Sequence, residues 1–195
     1  MSTLETALGT LVGRLAAFGQ RGALIGGLAV SARTEPRFTR DLDLAVAVSD
    51  DRAAESLVQR FVAEGYRTLA LVEQEATRRL ATVRLVLPDH DVRGVVADIL
   101  FASSGIEPEI VAEAEPLRAF PTIVLPVARV GHLIALKLLS RDDRTRPQDQ
   151  VDLRALFDVA NDLEIERART AVALIVQRGF SRGRDLDALL QAWLS

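Results

Sequence analysis

The residues that could most clearly do chemistry are two carboxylates one position apart, Asp41 and Asp43. They lie in the run 41–48, whose alternation of side chains is typical of a β-strand. Alternation puts both acids on one face with Ala45 and Ala47, and the leucines and valines on the other. Like charges this close repel unless a cation lies between them, and Mg²⁺ takes oxygen ligands together with substrate phosphates. The pattern predicts a magnesium site; two surface acids on a solvated strand edge are the alternative.

A third acid, Asp98, is the only charge in the apolar run 95–101, which is predicted to be a buried strand. Leaving a buried carboxylate unpaired costs on the order of several kcal/mol, so it needs a partner. Either an arginine pairs with it, or it joins Asp41 and Asp43 around metal. Three acids would suit a two-metal phosphoryl-transfer site, with a nucleoside triphosphate on one ion and the attacking hydroxyl on the other. Asp98 would also suit the general base.

Gly26 and Gly27 join a short predicted strand to a short predicted helix. Glycines there would let backbone N–H groups approach phosphates at the N-terminus of the helix. Most Gly-Gly pairs only mark turns. The evidence for this pair is its position, a short loop before Asp41 and Asp43.

The chain has a single lysine, Lys137, among its 24 basic residues, and it lies in a predicted apolar helix. Arg141 and Arg144 follow at about one and two turns, which predicts a basic stripe for phosphates of a triphosphate or RNA. A snorkelling lysine on a partly exposed helix is the alternative. Asp149 and Asp152 share a face at the start of the next predicted helix, where interaction with the helix dipole is the alternative to a functional role.

Thr39 falls on the same face as Asp41 and Asp43 if the strand begins early. A phosphate on Thr39 would add about −1.5 to −2 charges and compete with the nucleotide for the same cations. The hypothesis is regulation by phosphorylation; an ordinary loop threonine is the alternative.

Composition excludes several other classes of site. The chain of 195 residues has no cysteine and only two histidines, which excludes disulfides, thiol nucleophiles and multi-histidine zinc sites. Its net charge of −3 disfavours binding of nucleic acid by overall charge. The N-terminus lacks the basic start of a signal peptide, and no apolar run approaches the roughly 18 residues of a membrane span. We therefore expect a cytoplasmic protein.

The order of predicted elements indicates an α+β fold in which a mixed sheet is flanked by helices and followed by a C-terminal helical lobe. We place the boundary between the core, 1–128, and the helical lobe, 129–195. The predicted strands are 23–25, 41–48, 68–73, 80–87, 92–101 and 123–125. The predicted helices are 3–18, 28–33, 51–63, 108–114, 130–141, 149–160, 163–178 and 184–194.

Two segments together resemble a known family. They are GGLAV at 26–30 followed by RFTRDLD at 37–43, and ALKLLSR at 135–141 followed by RPQDQVDL at 146–153. The combination is similar to the nucleotidyltransferase toxins of the AbiEii/MenT group. The resemblance implies a polymerase-β-like minimal nucleotidyltransferase core. It implies Asp41 and Asp43 as metal ligands, and Lys137 with Asp149 or Asp152 as further active-site residues. The residue patterns described above add Asp98 to the metal site, and Gly26, Gly27 and Arg141 to the nucleotide site.

The resemblance also implies a function. Members of the group transfer a nucleoside monophosphate, often a pyrimidine, from an NTP to the 3′ CCA end of tRNA, which blocks aminoacylation and translation. It implies Mg²⁺, a cognate antitoxin and, in some systems, phosphorylation near the active site, which bears on Thr39. Two features depart from the wider superfamily. Gly27 stands where many relatives have a serine that contacts phosphate, and Gln148 precedes Asp149, which leaves open whether Asp149 or Asp152 is the functional acid.

Two other functions fit parts of the pattern. A small-molecule nucleotidyltransferase of the aminoglycoside-modifying kind would share the core chemistry. The arginines at 141, 144, 146 and 154 favour a polyanionic acceptor instead. A non-catalytic nucleotide-binding or antitoxin-binding module would bind nucleotide without turnover. The apparently complete set of acids argues against such a module, because buried charge is costly and a site without a catalytic role would not need it.

Overall fold

The computed structural model describes residues 3–37, 39, 41–74, 78–88, 95–141 and 147–194. Helices and strands alternate irregularly up to residue 127 and only helices follow. The helices are α1 (Thr3–Ala17), α2 (Gly26–Arg33), α3 (Asp51–Ala63), α4 (Glu107–Glu113), α5 (Val130–Ser140), α6 (Gln148–Val159), α7 (Asp162–Gln177) and α8 (Leu186–Leu194). The strands are β1 (Gly22–Ile25), β2 (Leu42–Val46), β3 (Arg67–Glu73), β4 (Leu80–Val86), β5 (Val96–Leu100), β6 (Glu115–Phe120) and β7 (Ile123–Val127).

The strands form one mixed sheet in the order β3-β4-β5-β2-β1-β7-β6. β2 runs parallel to β5 and β1 parallel to β7, and the other pairs are antiparallel. The predicted α+β architecture, a mixed sheet flanked by helices, is therefore confirmed. Because β2 is the central strand, the interpretation of its acids as a solvated sheet edge is wrong.

The helix α5 connects the sheet to the helices that follow it. It is apolar on every side, and nine of its residues are buried, as expected of a helix surrounded by other elements. It packs against α2, α6, α7 and α8. In the described ranges, no helix is both long and apolar enough to cross a membrane.

The structure differs from the predicted elements in one additional strand and at several element ends, such as the start of α8 at Leu186. β6 was not predicted, because its sequence EPLRAF has a proline and few strand-favouring residues; it is tolerated as an edge strand paired only with β7. β5 begins at Val96, and the predicted start at 92 lies outside the described residues. Ala45, which shares a face with Asp43, is fully buried. The boundary at 128/129 stays a prediction.

Candidate active site

The acids of the candidate site lie on neighbouring central strands. In the parallel pairing of β2 with β5, Asp43 is opposite Asp98, so their Cα atoms are about 5 Å apart. Both side chains are half-buried, and Asp41 is exposed just before β2 begins. The sequence prediction that these three acids meet is consistent with this placement, since all three line one cleft.

Arg84, on β4, completes this row of charges. It lies opposite Asp98 in the antiparallel pairing of β4 with β5. Its Nε donates to Asp98 Oδ1 at 2.8 Å and its Nη2 to Oδ2 at 2.7 Å. These hydrogen bonds raise the pKa of Arg84, and the charges of Asp98, Asp41 and Asp43 act in the same direction. An arginine was one of the two partners that the sequence analysis left open for Asp98, and Arg84 is that arginine. In the sequence Arg84 is a lone charge in the middle of the apolar strand β4.

The glycine pair is required by what packs against it. Gly26 has a φ of +65°, and a Cβ there would lie 1.9 Å from Asp43 Oδ2. A Cβ on Gly27 would lie 2.8 Å from Arg37 Nη2 and 3.0 Å from Thr39 Oγ1. The first turn of α2 therefore touches the metal-ligand candidate on one side and a cation on the other.

Lys137 is held in the interior by two carboxylates. Its Nζ lies 2.7 Å from Asp149 Oδ1 and 2.7 Å from Asp152 Oδ2. Ser140 Oγ donates to the second oxygen of Asp149 at 3.1 Å. The side chain of Lys137 is 9% exposed, so the interpretation as a snorkelling lysine is wrong. Asp149 and Asp152 both contact the ammonium group of Lys137, so each carboxylate is paired with a cation in the site.

Arg37 is a second cation on Asp152, and no sequence pattern indicated this contact. Its Nε and Nη2 donate to the two oxygens of Asp152, both at 2.7 Å. Gln148 Nε2 donates to Asp152 at 3.2 Å. Burial would raise the pKa of Asp152, but the hydrogen bonds from Arg37 and Lys137 outweigh it and the pKa is lowered. One carboxylate thus aligns two cations beside the first turn of α2.

These elements enclose a cleft of about 470 Å³ between the sheet and α5. The residues that line it include the three acids, Gly26, Lys137 and Arg182. Arg182 belongs to the loop between α7 and α8, has a φ of +55°, and donates through Nη2 to Ser103 O and Oγ, both at 3.0 Å. A charged residue in a glycine-containing loop carries no recognisable pattern, so the sequence did not indicate it.

The helix α5 ends at Ser140, and Arg141 is its C-cap residue, whose backbone N–H donates to Lys137 O at 2.9 Å. Arg141 is not among the residues that line the cleft, and its role on the nucleotide stays a prediction. Arg144 lies outside the described residues. Thr39 is half-buried beside the first turn of α2.

The carboxylates suit a hard divalent cation only together with a substrate. In the described part of the chain, no three Asp, Glu or His side chains converge closely enough to hold a metal ion by themselves. Mg²⁺ is commonly bound by one or two carboxylates that act with substrate phosphates. Asp41 and Asp43 provide such oxygens beside the backbone of Gly26, whereas Asp98 would have to share its oxygens with Arg84. The arrangement fits a nucleotide-dependent cation site.

Comparison with known families gives a match over nearly the whole chain. Residues 10–194 match the model of the nucleotidyl transferase AbiEii toxin of type IV toxin–antitoxin systems. The match includes every acid and cation described above.

The solved structures that match this chain include three nucleotidyltransferase proteins. An antigenic nucleotidyltransferase-like protein from Paracoccidioides brasiliensis superimposes with a TM-score of 0.56 at 17% identity, over 97% of this chain and 93% of that one. ANT(2″)-Ia in complex with adenylyl-2″-tobramycin gives a TM-score of 0.57 at 14% identity, over 91% and 99%. The toxin MenT4 from Mycobacterium tuberculosis gives 0.40 at 17% identity, over 97% and 91%. The first two matches show a shared fold.

Proposed function

Because the chain belongs to the family of AbiEii nucleotidyltransferase toxins, we propose that it transfers a nucleoside monophosphate, with a pyrimidine base, from an NTP to the 3′ CCA end of tRNA. The modified tRNA would no longer accept an amino acid, which would stop translation in the cytoplasm. The observation that carries the proposal is the cleft in which Asp43 and Asp98 lie side by side between the first turn of α2 and Lys137. Membership of a type IV toxin–antitoxin family also implies a cognate antitoxin.

The proposed reaction is an in-line displacement at the α-phosphorus. The 3′ hydroxyl oxygen of the acceptor forms a bond to the α-phosphorus, and the bond to the oxygen bridging the α- and β-phosphates breaks. Pyrophosphate leaves with that oxygen, and the hydroxyl proton passes to Asp98. Magnesium, bound by Asp41, Asp43 and the phosphates, would neutralise charge on the transferred group and on the attacking oxygen.

The protein's own residues would position the reactants. The N–H groups at the start of α2 favour the phosphates, because Gly26 lets the backbone approach them without a Cβ. Lys137 offers an ammonium held at two carboxylates, so little side-chain entropy is lost when a phosphate binds. Arg84 fixes the orientation of Asp98. In this scheme Asp149 and Asp152 act on the substrate only through Lys137.

Label transfer tests the proposal directly. The purified protein is incubated with Mg²⁺, deproteinised total tRNA and each α-labelled NTP in turn. We expect label in tRNA from a pyrimidine donor, and none with Asp41→Ala. Asp187→Ala, which removes an exposed acid on α8, is the matched control and should retain activity.

The acceptor position needs its own control. Periodate oxidation destroys the terminal 2′,3′-diol of tRNA, so oxidised tRNA should take no label. Equal labelling of oxidised and intact tRNA would contradict a 3′ acceptor. Label in tobramycin but not in RNA would favour the small-molecule alternative, and NTP binding without transfer to either acceptor would favour the non-catalytic module.

A further inference from the structure

The face of the sheet that carries the acids continues beyond them to the edge strand. Asp98 is opposite Arg84 of β4 in the strand register, and Arg84 is opposite Ala70 of β3. Residues that are directly opposite on neighbouring strands have their side chains on the same face of a sheet. The neighbouring pairs of β3 and β4 complete this open face, which we define by six residues: Arg67, Ala70, Val72, Thr82, Arg84 and Val86.

The open face is accessible and carries positive charge. Its three residues on β3 are exposed, and β3 is paired only with β4 in the described part of the sheet. Val72 is 51% exposed, and the side chain of Arg84 is 52% exposed. The six residues include two arginines and no acid. Such a surface attracts an anionic chain and offers apolar contacts to its sugars and bases.

A bulge in β3 turns Arg67 onto the open face. Arg67 is three residues before Ala70, so strict alternation would put their side chains on opposite faces. The register of β3 with β4 shifts after Thr68, where Leu69 is an extra residue. Arg67 is therefore opposite Val86, on the open face. Bulges next to active sites re-aim side chains in this way.

Both arginines have N–H donors for a ligand. In the described residues, the guanidinium of Arg67 has no hydrogen bond or ion pair. Arg84 uses Nε and Nη2 for Asp98, which leaves the N–H groups of its Nη1. From the strand spacing and register, the Cα atoms of Arg67 and Asp98 are about 12 Å apart. A ligand that contacts both arginines and the acids is therefore longer than one nucleotide.

The strand order separates the open face from the candidate phosphate site. β1 ends at Ile25, directly before Gly26, and lies on one side of β2 and β5, whereas β4 and β3 lie on the other side. In an in-line displacement, the attacking and leaving oxygens are on opposite sides of the phosphorus. A triphosphate at the first turn of α2 would therefore receive its acceptor from the side of β4.

We propose that the open face binds the single-stranded 3′ end of an RNA acceptor, with its terminal hydroxyl at the acids and the preceding phosphates on Arg84 and Arg67. The inference rests on the proposed function for the direction of the strand. It assigns the nucleotides before the acceptor hydroxyl to a defined surface. The two arginines disfavour a polycationic small molecule on the same surface.

Binding of RNA without any NTP tests this assignment. The probe is a short single-stranded RNA that ends in CCA and has a fluorophore at its 5′ end, and fluorescence anisotropy measures its affinity over a range of salt concentrations. Arg67→Gln should weaken binding by about twofold to fivefold at low salt. It should also reduce the slope of log K against log salt by about 0.7, because one phosphate contact is lost. Arg169→Gln removes an exposed arginine of α7 and should change neither quantity.

A second variant keeps the net charge constant. Arg67→Thr combined with Thr68→Arg moves the arginine to the position opposite the buried Leu85, and thus to the other face. Once urea unfolding has shown that it is folded, this variant should bind RNA as weakly as Arg67→Gln. The proposal is overturned if the wild type does not bind the RNA, if either variant at position 67 binds as tightly as the wild type, or if Arg169→Gln loses as much affinity.

The outcome is separable from the transfer reaction. Binding of RNA that depends on Arg67, without any labelling of tRNA, would reject the proposed transfer and support this surface. With transfer, we expect Arg67→Gln to raise the KM for tRNA and to leave kcat and NTP binding unchanged. Transfer with a KM for tRNA that Arg67→Gln does not change would support the proposed function and overturn this inference.

Discussion

Replacing Asp152 by asparagine removes one charge from the buried network while keeping its shape. The side chain of Asp152 is 1% exposed and accepts hydrogen bonds from Arg37, Lys137 and Gln148. With asparagine, Asp149 would be the one acid left in this network for two cations, and the asparagine NH₂ would face donors.

The expected loss of stability follows from these contacts. Removing one partner of a buried ion pair destabilises a protein by about 3–5 kcal/mol. Two features reduce this figure here. Lys137 keeps its contact with Asp149, and the side chain of Arg37 is 26% exposed and can reach water. We therefore expect Asp152→Asn to lower the free energy of unfolding by about 2–4 kcal/mol.

Urea unfolding at equilibrium measures this difference. Asp158→Asn changes an exposed acid on the same helix and should stay within about 0.5 kcal/mol of the wild type. The pKa of Asp152 is lowered in the folded protein, so its contribution is present above the ordinary carboxyl range and is lost as the pH falls below about 4. The deficit of Asp152→Asn should therefore shrink on acidification. A deficit below about 1 kcal/mol at neutral pH, or one that does not change with pH, would refute the reasoning.

Three other substitutions have defined outcomes. Gly26→Ala should lower the free energy of unfolding more than Gly19→Ala, because both glycines have a positive φ but only at position 26 would the Cβ meet Asp43. Unfolding in urea compares the two variants. Nucleotide binding should be lost only in Gly26→Ala. Thr39→Glu should reduce label transfer strongly by placing negative charge beside the first turn of α2, and unchanged activity would remove the phosphorylation hypothesis. Arg84→Gln should lower the Mg²⁺ concentration needed for half-maximal nucleotide binding, because it removes a positive charge that competes with the cation. A titration with Mg²⁺ measures this concentration. The concentration would increase if Arg84 instead helps to order the acids.

The sequence was most informative where a short pattern determines local geometry. Alternation identified β2, and the isolated charge of Asp98 required a partner, which proved to be Arg84. The glycine pair was found from its position, and its geometric cause, the contact of Gly26 with Asp43, is visible only in three dimensions. The single lysine identified Lys137 as unusual without indicating that it is buried.

The residues that were missed depend on contacts between distant parts of the chain. Arg37 and Arg182 lie in loops, where neither periodicity nor composition predicts the direction of a side chain. The choice of Asp149 or Asp152 as the functional acid was left open, and their spacing gave no indication that both contact Lys137. The predicted end of the helix at 141 was one residue too far, since α5 ends at Ser140.

The network around Asp152 has a consequence for when the protein becomes active during its own synthesis. Arg37 and Asp152 are 115 positions apart, and Lys137 reaches its two carboxylates only after α6 has formed. A nascent chain that ends before α6 has left the ribosome holds the acids of β2 and β5 without the carboxylates that hold Lys137 in place in the cleft. On the proposed function, an enzyme that arrests translation would thus stay inactive until most of its own chain has been made.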